Sequence, residues 1–129
     1  MPIDPEILLK KELDEVEGSW TEERVILYNI AVGSSQDPLN KSDLEFTVGS
    51  NPKVIPSFAA CIYPMESVFS IIGSEGLEVS LTSLLHGEQK ITIHKDIPSS
   101  GTAVTKATIT AVEDYKKFAS VTITSDSYM

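Results

Sequence analysis

The sequence predicts an α+β fold in which an apolar helix precedes an antiparallel sheet. Strand-like segments follow one another in the second half of the chain, at about 84–95, 102–113 and 118–125. A turn-rich link at 96–101 and a shorter link at 114–117 join them, and such short connections favour antiparallel neighbours. An apolar stretch with helical character, about 57–72, comes before these strands.

The size and composition of the chain limit its number of domains and its possible binding partners. Its 129 residues and 41% hydrophobic content fit one globular domain. A formal net charge of −9 argues against binding to nucleic acid or to an anionic membrane surface, because both depend on Lys and Arg. We therefore expect neither partner.

The sequence also bears on the compartment. No run of about 18 apolar residues is present, and the N-terminus has no apolar segment behind a basic stretch. Cys61 is the only cysteine, so no intrachain disulfide can form and a reducing compartment is the simple expectation. We expect an intracellular protein, cytoplasmic or peroxisomal, that does not span a membrane.

The N-terminal sequence pattern predicts an acidic helix over about 5–17. Asp4 can cap this helix with Pro5 at its first position, and Gly18 supplies a stop. Apolar residues recur at helical spacing: Leu9, Leu13 and Val16. Residues 1–24 hold eight acidic side chains against three basic ones, which is typical of a solvated helix face. Residues 1–18 are therefore predicted to precede a single domain over 19–129.

A second helix is expected over residues 24–33. Its start is marked either by Ser19 with Glu22 at capping-box spacing or by Thr21 as the cap. Apolar residues cover most of its circumference, which predicts a largely buried helix.

The middle of the chain alternates between loop, strand and helix signals. Residues 33–42 form a polar segment that predicts a loop. In 44–48 apolar residues alternate with polar ones, which predicts a short strand, and 49–53 predict a turn. The helix predicted over 57–72 is broken or kinked at Pro64. In the three later strands apolar residues alternate with polar ones, so each has one face that can cover a helix.

Four segments carry a family resemblance across about residues 20–125. They are Arg24 to Gly33, Asp43 to Phe46, Ile55 to Ala59 and Leu84 to Gln89. Together they resemble the N-terminal half of the MaoC-like dehydratases, the type 2 (R)-specific enoyl-CoA hydratases. The resemblance implies a hot-dog fold, a curled antiparallel sheet wrapped around a central helix. It also implies that the family's domain continues through one more strand, so we expect this sheet to lack its last strand.

What the resemblance implies for function is a non-catalytic half. In this family two hot-dog domains add water to a 2-enoyl-CoA, and the catalytic Asp and His lie in the C-terminal one. Here no Asp follows Gly33, and Asn40 stands near where a His would be needed. A neutral amide cannot act as the base, so we expect no catalytic residue in this chain. Membership of a lyase family thus leaves open whether the chain is an enzyme by itself.

The candidate substrate-binding residues are Pro56, Ser57 and Phe58, with His86 and Gly87. The first three open a predicted helix whose N-terminal amides could polarise a thioester carbonyl. His86 and Gly87 could line the acyl-CoA cavity. Each also fits an ordinary structural role as a cap, a core residue or a strand end. His94 lies eight residues beyond His86, roughly 26 Å at strand rise, so the two cannot share a metal, and no metal site is expected.

Other side chains could contact the acyl chain or the phosphates of the CoA thioester. A set of apolar residues could line an acyl channel or simply form core: Phe58, Tyr63, Met65, Phe69 and Ile72. Lys41 and Lys53 are the basic residues available for CoA phosphates near the loops that precede the predicted helix.

Three functions remain open from the sequence. The preferred one is the acyl-CoA-accommodating half of a hydratase or dehydratase, completed by a catalytic hot-dog domain or chain as a homodimer or heterodimer. The second is a stand-alone dimeric module that binds acyl thioesters, and the third is a thioesterase that uses Glu66. None needs a cofactor beyond the CoA thioester that serves as substrate.

Overall fold

The computed structural model describes residues 3–63 and 68–129 and has an α+β architecture. Its helices are α1 (Pro5–Leu9), α2 (Glu22–Ala31) and α3 (Lys41–Leu44), with 3₁₀ helices at Pro56–Cys61 and Leu81–Ser83. Its strands are β1 (Val16–Trp20), β2 (Gly101–Asp114) and β3 (Ala119–Tyr128). This mixture of short helices with an open sheet confirms the predicted class and is consistent with a hot-dog fold.

The three strands form one sheet in the order β1–β2–β3. Strands β2 and β3 pair antiparallel from Val104 opposite Tyr128 to Asp114 opposite Ala119, with a bulge between Ile109 and Ala111. These strands confirm the predictions for 102–113 and 118–125. The link between them is held by Asp114, whose Oδ1 accepts the Lys116 amide at 2.7 Å.

The chain divides into two compact units. The α2 unit comprises residues 17–63, 90–103 and 129, and the sheet unit comprises the described residues among 1–16, 64–89 and 104–128. The α2 unit has an aromatic core around Phe58. The sheet unit has an aliphatic core of Leu8, Ile71, Leu77 and Ile109.

Helix α1 is capped as predicted but is shorter than predicted. Asp4 Oδ1 accepts the amides of Glu6 and Ile7 at 3.0 and 3.2 Å. The helix ends at Leu9, and it is Leu8 that packs in the sheet-unit core, whereas Leu9 is exposed. The expected helix over 5–17 is therefore wrong beyond Leu9, and residues 16–20 form β1 instead.

Helix α2 lies where it was expected but is not largely buried. Thr21 is its N-cap, and the Thr21 hydroxyl accepts the Arg24 amide. Only Val25 and Asn29 are buried, while Leu27 and Ile30, on the opposite side, are 68% and 55% exposed. One apolar face is enough to pack the helix, so its second apolar face stays in solvent.

The short strand predicted over 44–48 is replaced by helix α3 and a turn. Asn40 caps the Asp43 amide, which favours helical geometry at Lys41–Leu44. The amides of Thr47 and Val48 then bond to the Leu44 carbonyl. These local bonds use backbone groups that a strand would need for a neighbour.

The strand predicted over 84–95 is also wrong. Every residue of this segment is exposed, and none is in a strand. Ile91 and Ile93 alternate with polar residues as expected, but in the described part of the chain no strand pairs with them. Alternation alone does not make a strand, since the backbone needs a hydrogen-bonded neighbour.

In the described part of the helix predicted over 57–72, Pro56–Cys61 is a 3₁₀ helix, Val68 and Phe69 are α-helical as predicted, and turns follow around Ile71. Pro64, where a kink was expected, lies outside the described residues. A 3₁₀ helix has about 3.0 residues per turn, so the side chains of Pro56–Cys61 do not follow the predicted 3.6-residue period.

Asn29 fixes the loop that follows α3. Its Nδ2 donates to the carbonyls of Phe46 and Lys53, each at 2.8 Å. The side chain is fully buried, and Oδ1 has no hydrogen-bond partner among the described residues. A buried amide that satisfies two carbonyls holds both ends of the 46–53 turn to α2.

We expect Asn29→Ala to destabilise the protein by about 1–3 kcal/mol, because two part-buried carbonyls lose their donor. Asn29→Asp should cost more, since it turns a carboxylate toward both carbonyls. Gln36→Ala, on an exposed loop, is the control and should change stability by less than about 0.5 kcal/mol. Urea denaturation measures all three, and equal stability of the Asn29 and Gln36 variants would refute this role.

Two glycines of the sheet unit share a left-handed backbone but differ in how closely side chains surround them. Gly73 and Gly76 both have positive φ, 78° and 87°. A Cβ on Gly76 would lie 2.8 Å from Ile7 Cγ2, whereas one on Gly73 would have no described atom within 4 Å. Helix α1 therefore packs directly on Gly76.

Gly73→Ala should cost about 1–2 kcal/mol from its left-handed backbone alone. Gly76→Ala should cost about 1–3 kcal/mol more, because it also displaces the α1 side chain. Thermal unfolding of both variants compares them. Equal losses would show that α1 does not pack against Gly76 as described.

Candidate functional site

The predicted site segment Pro56–Ser57–Phe58 opens the 3₁₀ helix. Pro56 occupies its first turn, where a proline lacks no needed amide. The Phe58 amide donates to the Ile55 carbonyl at 2.9 Å. As a result, Phe58 turns into the core with 0% exposure, while Ser57 next to it is exposed.

Tyr28 of α2 meets this segment. The hydroxyls of Tyr28 and Ser57 are hydrogen-bonded at 2.7 Å. The Tyr28 ring packs edge-on against Phe58, with ring centroids 5.4 Å apart. Trp20 contacts Phe58 from another side at 6.4 Å. Two hydroxyls thus lie at the surface over a buried aromatic cluster, and they form the candidate site.

Arg24 fixes the other end of the 3₁₀ helix. Its Nη2 donates to the Cys61 carbonyl at 2.8 Å, and its Nη1 donates to the Ser19 carbonyl at 3.4 Å. These bonds tie α2 to both the end of β1 and the 3₁₀ helix. The site segment is therefore held at Ser57 and at Cys61 by side chains one turn apart on α2.

The two lysines considered for CoA phosphates differ in availability. Lys53 is ion-paired with Glu45 and lies 6.0 Å from the Phe46 ring centroid. Lys41 is exposed at the first position of α3. Of the pair, Lys41 offers the charge that is not already neutralised by a carboxylate in the described structure.

In the loop at residues 35–43, polar side chains are hydrogen-bonded to backbone amides of the same loop. Asp37 Oδ1 accepts the Leu39 amide at 2.9 Å, and Asn40 Oδ1 accepts the Asp43 amide at 3.2 Å. Asp43 Oδ2 accepts the Ser35 amide at 2.7 Å. Asn40 is an N-cap residue, so these polar side chains shape the loop.

His86 and Gly87 belong to the sheet unit and lie on its exposed 84–89 segment. The Nε2 atom of His86 is 3.1 Å from the Glu88 carbonyl oxygen. His94, in the α2 unit, is also exposed. Within residues 3–63 and 68–129 neither imidazole is paired with a carboxylate.

Over residues 3–63 and 68–129, no three His, Cys, Asp or Glu side chains gather as metal ligands. Over the same ranges, no helix has the length and hydropathy needed to cross a membrane.

Comparison with known proteins identifies the family. Residues 19–129 match the family model described as the MFE-2 hydratase 2 N-terminal domain. The chain belongs to this family. It is 30% identical to enoyl-CoA hydratase ChsH3 of Mycobacterium tuberculosis over 121 residues, which is 92% of this chain and 42% of that protein.

Two eukaryotic relatives of this hydratase 2 N-terminal domain extend the comparison. The peroxisomal enoyl-CoA hydratase 2 of Arabidopsis thaliana is 27% identical over 95% of the chain and 41% of its own length. The peroxisomal multifunctional enzyme type 2 of mouse is 28% identical over 91% of the chain and 16% of its own length. The chain therefore spans about two fifths, or less, of the length of these relatives.

Of the predicted site residues, three lie at the hydroxyl pair. Pro56, Ser57 and Phe58 are consecutive there, but Phe58 is a core residue and does not line an open channel. His86 and Gly87 lie in the other unit and stay predictions. Met65, proposed for the channel, and Glu66, proposed for thioester hydrolysis, lie outside the described residues.

The remaining channel candidates differ in their burial. Tyr63 is half-buried, and Ile72 packs against the sheet-unit core. Phe69 is exposed. Sequence reasoning missed Tyr28 as a site residue, because its partner Ser57 is 29 positions away and no local pattern joins them.

The hydroxyl pair can be tested by a double-mutant cycle. Tyr28→Phe and Ser57→Ala each remove one partner, and we expect a coupling of about 0.5–1.5 kcal/mol in unfolding free energy. Thr102→Ala, at an exposed position, is the matched hydroxyl control and should show no coupling to Tyr28→Phe. Strictly additive losses at 28 and 57 would contradict the bond.

Proposed function

We propose that this chain is the non-catalytic half of an (R)-specific 2-enoyl-CoA hydratase or 3-hydroxyacyl-CoA dehydratase, and that it accommodates the acyl group of the CoA thioester. The observation that carries the proposal is the family match over residues 19–129. Relatives of this region are named as enoyl-CoA hydratases in a bacterium and in a plant.

The chemistry of water addition supports the proposal that this half is non-catalytic. Hydration needs one group to remove a proton from water and another to protonate the α-carbon. In the described residues Asn40 caps α3, and neither histidine is paired with a carboxylate. Hydroxyls such as those of Tyr28 and Ser57 are too weakly basic to replace a carboxylate–imidazole pair.

Substrate contact is proposed at the hydroxyl pair. In this pair one hydroxyl donates to the other, so at least one keeps a donor or acceptor position for a ligand. A hydrogen bond from it would orient a thioester carbonyl beside the aromatic cluster. The backbone amides of the 3₁₀ helix are less suited to polarising the thioester carbonyl, since the Phe58 amide already donates to the Ile55 carbonyl.

The partner in this proposal is a second hot-dog domain that supplies the Asp and His. The relatives extend well beyond the matched region, which leaves room for such a domain in each of them. The exposed apolar face of α2 offers one surface that a partner could cover. A peroxisomal or cytoplasmic location is proposed with it, since two relatives are named peroxisomal.

The test measures crotonyl-CoA hydration by three samples. They are this chain alone, the unmatched portion of the M. tuberculosis relative alone, and the two mixed. We expect no turnover by this chain, little by the isolated portion, and recovered turnover in the mixture. Ser57→Ala should raise KM in the mixture about tenfold or less, as loss of one neutral hydrogen bond does. Gln36→Ala is the exposed control.

Three outcomes would reject the proposal. Turnover of crotonyl-CoA by this chain alone would show a complete acid–base pair within it. Tight binding of acyl-CoA by a dimer of this chain, with no gain on mixing, would instead favour a stand-alone binding module. Release of free CoA thiol by the chain would favour the thioesterase.

A further inference from the structure

The tip of the β2–β3 hairpin has a shape that its own residues fix. The Tyr115 amide donates to the Phe118 carbonyl at 2.9 Å, which closes the turn. Asp114 Oδ1 accepts the Lys116 amide at 2.7 Å, and this bond supports the left-handed backbone of Lys116, with φ of 67°. All of these partners lie within residues 113–118, the segment that we call the hairpin tip.

Two aromatic rings are held in solvent at the hairpin tip. Tyr115 and Phe118 stack with their ring centroids 5.0 Å apart and an interplanar angle of 29°. The Tyr115 hydroxyl donates to Glu113 Oε2 at 2.8 Å, which fixes the outer end of the tyrosine ring. The two residues are nonetheless 51% and 65% exposed. A planar ligand can therefore stack on rings that are already ordered, which lowers the entropic cost of binding.

Two lysines accompany these rings. Lys116 and Lys117 are both exposed, and within residues 3–63 and 68–129 neither is ion-paired with a carboxylate. The neighbouring carboxylates are each engaged in a hydrogen bond, Glu113 with the Tyr115 hydroxyl and Asp114 with the Lys116 amide. The hairpin tip thus offers two ammonium groups to an anion beside its aromatic pair.

We propose that the hairpin tip binds an adenine nucleotide, whose base stacks on the Tyr115–Phe118 pair while a phosphate contacts Lys116 and Lys117. An anion alone would leave the rings unused, and an apolar ligand would leave the lysines unused. A nucleotide uses both, since its base has a π-face and Lys binds phosphate as a point charge. Free adenine nucleotides and the nucleotide portion of CoA share this chemistry, and the CoA source rests on the function proposed above.

The charge of the chain favours a single nucleotide over a polyanion. At the hairpin tip two lysines are balanced by Glu113 and Asp114, and the whole chain has a formal net charge of −9. A nucleic acid or an anionic membrane would bring many negative charges close to this acidic surface. A nucleotide brings only a few, and it can place them at the lysines.

An NMR titration of the isotope-labelled whole chain with adenosine 3′,5′-bisphosphate tests the site. We expect saturable shifts of the amides at 115–118, with affinities about tenfold lower for adenosine and for inorganic phosphate, because each supplies only part of the contacts. Phe118→Ala should weaken nucleotide binding about tenfold, as loss of one stacked base does. Replacing both Lys116 and Lys117 by Gln should weaken it to a similar degree and reduce its dependence on salt.

Phe69→Ala and Lys106→Gln are the matched controls. Phe69 is 43% exposed and Lys106 is exposed, and both lie in the same unit but off the hairpin tip. Neither substitution should change the affinity by more than about twofold. The amide spectra of all the variants report whether they fold, so a loss of binding can be separated from a loss of structure.

Separate titrations with CoA and with ATP distinguish the two sources of the nucleotide. Tighter binding of CoA at the hairpin tip would assign the site to the CoA thioester, and tighter binding of ATP would assign it to a free nucleotide.

The proposal would be overturned if no nucleotide gave saturable shifts at 115–118, or if inorganic phosphate bound as tightly as the nucleotides. Wild-type affinity in Phe118→Ala would reject it as well. Binding to vesicles of phosphatidylserine and phosphatidylcholine, lost in Phe118→Ala and without nucleotide binding, would instead make the tip a membrane contact. Because adenosine 3′,5′-bisphosphate carries no acyl group, this titration can fail while the hydration assay succeeds, and the reverse.

Discussion

The burial of Phe58 is the contact on which the candidate site depends. Its ring is fully buried among Trp20, Val25, Ile62 and Ala103, with Tyr28 packed at its edge. Burying such a ring contributes about 2–3 kcal/mol, which helps to fix the short 3₁₀ helix, whose hydrogen-bond geometry is poorer than that of an α-helix. Next to the buried Phe58, Ser57 is exposed and its hydroxyl is bonded to that of Tyr28.

The elements that could be predicted are those specified by neighbouring residues. Asp4 and Thr21 act as caps through bonds to amides two or three residues away. In β2 and β3 apolar residues alternate with polar ones, and a four-residue link joins the two strands. Their pairing therefore depends only on segments that are adjacent in sequence. In the same way, Ser57 could be identified from its place beside Pro56 in a family-like segment.

The elements that failed depend on distant partners. Residues 84–95 have the alternation of a strand but no neighbour to bond with in the described structure. Leu8 replaced Leu9 in the core because contacts with Ile71 and Leu77 decide which face is inside. The Tyr28–Ser57 pair likewise joins two elements that packing alone brings together.

The exposed apolar residues fit the role proposed for the chain. Leu27 and Ile30 form a second apolar face on α2, opposite the buried Val25 and Asn29. The sequence pattern gives α2 two apolar faces, and this structure covers one. An exposed apolar face of this kind can be covered by a partner domain, as the proposed function requires.

The most direct measurement is an NMR titration of the isotope-labelled chain with crotonyl-CoA, in which amide shifts and the ligand's own resonances are followed together. The account predicts that amide resonances of Ser57, Phe58 and Tyr28 shift while the enoyl resonances persist unchanged for hours. Conversion of the enoyl signals to those of a 3-hydroxyacyl product, or shifts confined to residues distant from the hydroxyl pair, would contradict it.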